Sequence, residues 1–569
     1  VYSIPIGGGE STRILEHDTG IAAYSMSPDG KRLAFLSRDV EDEYRAKMRD
    51  KGFRQEVYEE DARFTRVWIA ELDRPGAARM LLLEGNASTV DWSPTGDRLV
   101  VALAPTPLID DRYMYRRLRI VDVASGSVVT RIENPGKLGQ VGWSPDGEHV
   151  AFVSAVSIND PKEGRLMVAR AGSGSFEDVL PGLEGHISSF AWRDGNTVAY
   201  VADEGVETRV GEVRVDGSRD RTLIEGGDVA FSGLSAPVGV ETSAFVGQTP
   251  DHPSELFVQT GSGAPRRATD SNPWLADRRL AAQEVVEWAA ADGLRLQGLL
   301  IRPLDGGNAP APTIVVVHGG PEAHYRNGWV TSYSSPGQMA AAQGFAVFYP
   351  NYRASTGRGV EFSMLDHGDF AGKEFDDIVD GVDFLIEAGV ADSARVGVTG
   401  GSYGGYATGW LTTRYSRRFA AGVMFVGISN TISKDGVSDI PEEMFLVHQR
   451  MHPWDDWQFF LERSPIFWAD SSRTPLLILH GKEDPRVPTD QSIEMYRNLK
   501  LRGSAPVRLI LYPGEGHGNA RAAARLDYNL RSLRWLEHYL MGPGGEPPTS
   551  DVRYEADAEE TTADLTSDR

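Results

Sequence analysis

Two hydrophobic patterns succeed each other along the chain. Up to about residue 275, short runs alternate apolar and polar positions, the period of strands with one buried face. Several follow one phrase. Ser27-Pro28-Asp29-Gly30 precedes Leu33-Ala34-Phe35-Leu36, Trp92-Ser93-Pro94-Thr95-Gly96 precedes Leu99-Val100-Val101-Ala102, and Trp143-Ser144-Pro145-Asp146-Gly147 precedes Val150-Ala151-Phe152-Val153. A degraded copy, Trp192-Arg193-Asp194-Gly195, precedes Val198-Ala199-Tyr200-Val201. Proline presets φ for a turn, Asp-Gly favours the positive φ of a tight hairpin, and the run that follows is a strand. Copies spaced by roughly 40 to 65 residues, with further strands between them, predict about five four-stranded propeller blades and a partial unit at each end. A β-sandwich with coincidental turns is the alternative, and four copies of one phrase argue against it. The charged stretch from Glu41 to Phe64 interrupts the first unit and reads as a helix or loop leaving the blade.

After Asn272-Pro273-Trp274 the alternation gives way to continuous apolar runs, as strands buried on both faces require. Gln283 to Trp288 pairs with Leu294 to Ile301 around a turn at Ala291-Asp292-Gly293. Thr313 to Val317, Ala346 to Tyr349, Val396 to Thr399, Gly422 to Val426, Pro475 to Leu479 and Val507 to Leu511 follow. Helical patterns separate several of them, notably Glu374 to Ile386, and a last helix runs from about Ala524 to Leu540. The expected architecture is multidomain β plus α/β: a β-propeller over 1–275, incomplete at its N-terminus, then a mostly parallel α/β domain over 276–541. The segment 542–569, rich in Pro, Gly, Thr and acids, reads as a disordered acidic tail.

A length of 569 residues agrees with more than one core. No run approaches the roughly 20 apolar residues of a membrane span, so no membrane partner is expected. A net charge of −23 argues against nucleic acid as a partner, because phosphates would be repelled. The absence of cysteine excludes disulfides, thiol catalysis and cysteine-ligated metal. The chain opens Val1-Tyr2-Ser3 with no initiator Met, which suggests a removed targeting segment or a missing N-terminal portion and leaves the compartment open.

Candidate chemistry lies in the second half. Gly400-Gly401-Ser402-Tyr403-Gly404 follows a strand and opens a helix, the setting of a nucleophile elbow. Serine needs a base, and the base an orienting acid. In the order Ser, acid, His, the candidates are Asp484, in the loop after Pro475 to Leu479, and His517, in the loop after Val507 to Leu511. Glu483 and Glu515 are competing acids, and His480 reads as a structural residue at a strand end. The backbone N–H groups of Tyr403 and of Gly320, in His318-Gly319-Gly320-Pro321, are candidate oxyanion donors. Neither His318 nor His324 has ligand-like spacing to acids, and serine chemistry needs no metal, so no metal or organic cofactor is expected.

Together the G-G-S-Y-G-G elbow, the H-G-G-P loop, Asn351-Tyr352-Arg353-Ala354-Ser355-Thr356-Gly357, Asp484-Pro485-Arg486-Val487-Pro488 and Gly514-Glu515-Gly516-His517 resemble the prolyl oligopeptidase family of serine peptidases, and most closely its acylaminoacyl-peptidase branch. Ala354 stands where that family usually has glycine, and the family's segment before the propeller is not seen. The resemblance implies an α/β-hydrolase domain behind a β-propeller, cleavage of short peptides or acyl-amino acids through an acyl-enzyme, access restricted by the propeller, and homo-oligomerisation. It also implies that Arg486 contacts substrate or steadies the acid loop. A dipeptidyl exopeptidase would need acids to hold a free amine, for which Glu59 and Glu60 in the charged insertion, or Glu442 and Glu443, are candidates; solvated surface charge is the plainer reading. Trp454 to Phe460 offers aromatics for a specificity pocket or for core packing. The alternatives are an esterase or amidase for small acyl substrates and, against the intact triad, an inactive scaffold.

Overall fold

The computed structural model describes residues 1–73, 78–307 and 309–552. Five antiparallel sheets of four strands each occupy residues 21–81, 86–132, 138–178, 186–224 and 230–267, every strand lying beside its neighbour in sequence. The repeated phrase builds their joints. In three turns the serine hydroxyl accepts the N–H of Arg32, Arg98 or His149 at 2.9, 3.1 and 2.9 Å, while Gly30, Gly96 and Gly147 take φ of 68°, 74° and 73°. The tryptophan before the serine reaches backward. Indole N–H groups of Trp92, Trp143 and Trp192 donate to the carbonyls of Ser25, Asp91 and Gly142, in the first strand of the preceding sheet, at 3.1, 3.3 and 3.2 Å. Arg32 and Arg98 lie over the Trp92 and Trp143 rings, 4.6 and 5.7 Å from their centres. Each pair of consecutive sheets encloses its own apolar layer, such as Leu36, Val67, Val90 and Leu99 between the first two. The charged insertion contains a helix, Glu43–Asp50, capped by Asp42 and with no buried residue.

The second half is built on one eight-stranded sheet: β1 Gln283–Ala289, β2 Arg295–Ile301, β3 Ala311–Val317, β4 Ala346–Asn351, β5 Ala391–Gly401, β6 Ala421–Phe425, β7 Leu476–Gly481 and β8 Val507–Tyr512, in the order β1-β2-β4-β3-β5-β6-β7-β8. The pairings of β2 are antiparallel and the others parallel. The six parallel strands are the continuous apolar runs of the sequence. Strand β5 starts earlier than its run because Ala391 pairs with Ala311 ahead of a register shift. Helices α1 Lys373–Glu387 and α2 Tyr403–Thr413 cover one face, through Phe375, Ile378, Tyr406 and Trp410. Helices Gly337–Ala342 and Ala522–Leu540 cover the other, through Ala340, Tyr528, Trp535 and Leu540. Among the described residues no helix is long and apolar enough to cross a membrane.

Of the segment read as a disordered tail, residues 542–552 lie back along the last helix. Arg508, Arg531 and Arg534 donate to the carbonyls of Thr549, Ser550 and Asp551 at 3.4, 2.6 and 2.6 Å; residues 553–569 lie outside the described part.

Trp143→Phe keeps an aromatic ring but removes the indole donor to Asp91, so it should lower stability by about 1–2 kcal/mol, read from the midpoint of urea unfolding.

Candidate active site

Strand β5 runs directly into Ser402, which takes φ 60°, ψ −120° before α2 begins. That conformation is unfavourable for a side-chain-bearing residue, and the glycines around it explain how it is held. A Cβ on Gly400 would lie 2.5 Å from the Val317 carbonyl oxygen, one on Gly404 2.1 Å from the same atom, and one on Gly405 2.4 Å from the Phe425 oxygen. The elbow is thus packed against β3 and β6 too closely for any other residue at those positions. Ser402 N–H donates to the Phe425 carbonyl at 3.0 Å and Tyr406 N–H to the Ser402 carbonyl at 2.8 Å.

The loops after β7 and β8 bring Asp484 and His517 to the same sheet edge. His517 Nδ1 lies 2.7 Å from Asp484 Oδ2, and His517 Nε2 lies 2.9 Å from Ser402 Oγ. Asp484 is buried, and its Oδ1 accepts the N–H groups of Arg486 and Val487 at 2.9 and 3.1 Å. Burial alone would raise the Asp484 carboxyl, but hydrogen bonds from His480 and His517 outweigh it and bring it down to about 2. His480 was expected only to end a strand. It also braces the acid, with Nε2 3.2 Å from Asp484 Oδ2 and 2.8 Å from the Val487 carbonyl, and Nδ1 2.6 Å from Ser492 Oγ. The competing acids are otherwise engaged: Glu483 accepts from Gly514 N–H, and buried Glu515 accepts from Ala520 and Arg521 N–H. A carboxylate, an imidazole and a hydroxyl in this sequence can take the hydroxyl proton and return it.

The loop His318 to Pro321 leaves β3 beside the elbow, and a Cβ on Gly319 would stand 3.2 Å from Ser402 Cβ. Gly320 has φ 116°, where a side chain would meet Glu322 N at 2.4 Å. The N–H groups of Gly320 and Tyr403 donate to no described residue, so both are free for a substrate oxygen. The N-Y-R-A-S-T-G stretch props the loop: His318 stacks on Tyr352 at 4.3 Å, accepts or donates with Ser355 Oγ at 2.9 Å, and Tyr352 Oη donates to the His318 carbonyl at 2.9 Å. Burial lowers the His318 imidazole to about 4, which suits a neutral scaffold residue. Ala354, where the resembled family has glycine, sits at φ 71° with no exposed surface, the left-handed region that favours glycine.

Arg486 lies beside the acid loop, its Nε 2.7 Å from Asp439 and its Nη1 3.2 Å from Tyr113 Oη in the first half. Glu59 and Glu60 are exposed in a turn of the charged insertion, and their carboxylates meet no described residue. In Trp454 to Phe460, Trp454 and Trp457 are exposed, whereas Phe460 is buried against Phe370, 5.2 Å between rings.

A buried ionic cluster at the junction of the two halves went unseen in the sequence. Lys137, from the first half, lies 3.0 Å from Glu322 and 2.6 Å from Glu443 of the second. His448 follows, 3.3 Å from Glu322 and 2.8 Å from Asp366. Asp110 caps a short helix across the same junction, accepting the N–H groups of Glu442 and Glu443 at 2.9 Å each. The sequence signals were an acid directly after the H-G-G-P loop and the Glu442-Glu443 pair, read there as a candidate amine anchor, of which Glu443 is instead paired with Lys137. A lone lysine before a strand gives none.

An eight-stranded sheet in this order, with a serine elbow after β5 and Asp and His loops after β7 and β8, defines an α/β-hydrolase. Residues 331–542 match the Prolyl oligopeptidase family. The chain is 35% identical over 301 residues to the uncharacterized peptidase YuxL of Bacillus subtilis, covering 51% of this chain and 44% of that one. It is 34% identical over 295 residues to dipeptidyl aminopeptidase BIII of Pseudoxanthomonas mexicana, 49% and 42% of the two chains. It is 32% identical over 268 residues to the acylamino-acid-releasing enzyme of Sus scrofa, 45% and 35%. The matched part spans less than half the length of each of these relatives. Among solved structures the Pyrococcus horikoshii acylaminoacyl peptidase superposes with a TM-score of 0.79 at 23% identity, over 95% of this chain and 85% of that one. A Mycobacterium tuberculosis puromycin-hydrolyzing peptidase gives 0.74 at 20%, over 96% and 84%.

Behind the elbow, Tyr403 Oη donates to Glu374 at 2.9 Å. Burial, with Asp366 and Asp369 nearby, pushes the Glu374 carboxyl up to about 8 against the hydrogen bond from Tyr403. The folded protein therefore keeps a proton that the unfolded chain loses near the ordinary glutamate value, and stability falls as pH rises between the two. Glu374→Gln, which stays neutral, should gain melting temperature relative to the parent as pH goes from about 5 to about 9, measured by thermal unfolding across that range.

Proposed function

We propose that the chain is a serine peptidase that cleaves short peptides through an acyl-enzyme on Ser402. The observation that carries this is the unbroken Asp484–His517–Ser402 chain, at 2.7 and 2.9 Å, on a hydroxyl held at positive φ. Ser402 Oγ attacks the scissile carbonyl carbon while His517 Nε2 takes its proton, and Asp484 holds the imidazole and balances its charge. Gly320 and Tyr403 N–H groups receive the oxyanion. Collapse breaks the C–N bond as His517 protonates the leaving amine. A water deprotonated by the same imidazole then releases the acid.

The five meander sheets, the first four of them joined first strand to first strand by the tryptophan bonds, read as blades of a β-propeller over 1–275 that narrows access to a catalytic domain over 276–541. An N-acylated amino acid is the preferred substrate end. Glu322 and Glu443, close to the oxyanion loop, are both ion-paired with Lys137, and Glu322 also with His448, so neither carboxylate stands unpaired for a free ammonium. Names such as acylamino-acid-releasing enzyme among the relatives support the same class. Arg486, hydrogen-bonded to Tyr113 and Asp439, has donors to spare for a substrate carbonyl beside the acid loop.

A fluorophosphonate should label Ser402, and Ser402→Ala should lose the label together with at least about a thousandfold of kcat. On matched alanyl anilides the N-acetylated substrate should exceed the free-amine dipeptide in kcat/KM. Preference for the free dipeptide would instead make Glu59 and Glu60 the anchors to mutate, and turnover of simple esters alone would make the protein an esterase.

A further inference from the structure

Lys137 immediately precedes the strand Leu138–Trp143, and its backbone is pinned there, its carbonyl accepting from Ala155 N–H at 2.9 Å and from Ser154 Oγ at 3.3 Å. The side chain leaves that half and ends, 8% exposed, between two carboxylates of the other. Burial opposes the ammonium charge, but Glu322 and Glu443 outweigh it and hold the lysine above its ordinary value. Glu322 is two residues from Gly320 and three from Gly319, whose backbone lies against Ser402. On its other side Lys137 faces the Tyr113 ring, 5.9 Å from its centre, and Arg486 lies over that ring at 5.1 Å. The contacts close a circuit from Ser402 through Gly319 and Glu322 to Lys137, then through Tyr113 and Arg486 to Asp484. Glu322 also faces His448 at 3.3 Å, so Lys137 is one of its two counter-charges and the one supplied by the first half; a buried carboxylate deprived of a counter-charge is driven to shift.

We propose that Lys137 is a positioning residue for the oxyanion loop: by holding Glu322 and Glu443 across the junction, it sets the Gly320 donor only when the two halves are docked. This rests on Ser402 being the nucleophile. Lys137 touches no reacting atom, so its removal should affect the transition state more than the bound substrate.

The test uses the full chain with Lys137→Met and Lys137→Arg, assayed on an N-acetyl-alanyl anilide. Inhibition by N-acetyl-alaninal, whose adduct places an oxygen in the donor pair, is compared with inhibition by the product N-acetyl-alanine. For Lys137→Met we expect kcat to fall roughly 10- to 100-fold with KM within about threefold. The aldehyde should weaken by a similar factor while the product does not, and Lys137→Arg should recover part of the loss. If Lys137→Met does not fold, Glu443→Gln, which keeps a hydrogen-bond acceptor for Lys137 but no charge, must show the same split in smaller degree. Unchanged kcat in folded variants, or a higher KM with kcat intact, overturns the proposal. A wild-type protein inert to fluorophosphonate and to every anilide overturns the nucleophile reading, and this one with it.

Discussion

The Val317 carbonyl oxygen is the point to which the whole site is referred. Gly400 and Gly404 both approach it within the space a side chain would need, so the elbow's position is fixed by contact with the end of β3. That strand end continues without interruption into His318, Gly319 and Gly320. Ser402 and the Gly320 N–H therefore share a single reference, and their separation cannot drift without breaking backbone packing. The strained φ of Ser402 persists because three glycines let neighbouring backbone close around it. Asp484 is fixed with similar redundancy, two backbone N–H groups on one oxygen and two imidazoles at the other.

Charge at the junction of the halves adds a second level of constraint. Surface ion pairs contribute little, but a buried lysine between two glutamates is another matter: each partner is costly to strand alone. Asp110 extends the same logic to the backbone, because the N–H groups at the start of a helix need acceptors, and here the acceptor belongs to the other half of the molecule. Arg486, Asp439 and Tyr113 form a third crossing. Two of these crossings meet the acid loop or the residue after the H-G-G-P loop directly, through Arg486 and Glu322, while others, such as Gly357 N–H to His186 and Arg326 to Asp203, hold the junction elsewhere.

What the sequence made legible was chemistry written in short local phrases. The elbow, the H-G-G-P loop and the Asp484 and His517 loops each need particular small residues at fixed offsets, and those offsets survive in one dimension. The Ser-Pro-Asp-Gly turns were legible for the same reason; the role of the tryptophan before them was not, because its indole bonds to a strand about 50 residues or more away. Lys137 and Glu443 are separated by 306 positions, and nothing near either one signals the other. Glu374 sits on the polar side of an otherwise ordinary helical pattern, and only the packing of Tyr403 and Asp366 around it shows that it is buried. The charged insertion, read as a helix or loop leaving the blade, contains the short helix Glu43–Asp50, while residues 542–552 looked free because the arginines that hold them lie in β8 and the last helix.

The order of these partners along the chain has a consequence for how the protein is made. Lys137 precedes Glu322 by 185 positions and Asp110 precedes Glu442 by 332. On a ribosome the β half can finish folding before the strand that leads into Ser402 emerges. The later half then closes against a finished surface that already displays the ammonium and the capping carboxylate, much as a casting takes its shape from a mould. A chain assembled in this order acquires a braced His318 to Pro321 loop only after the β half that meets Glu322 is in place.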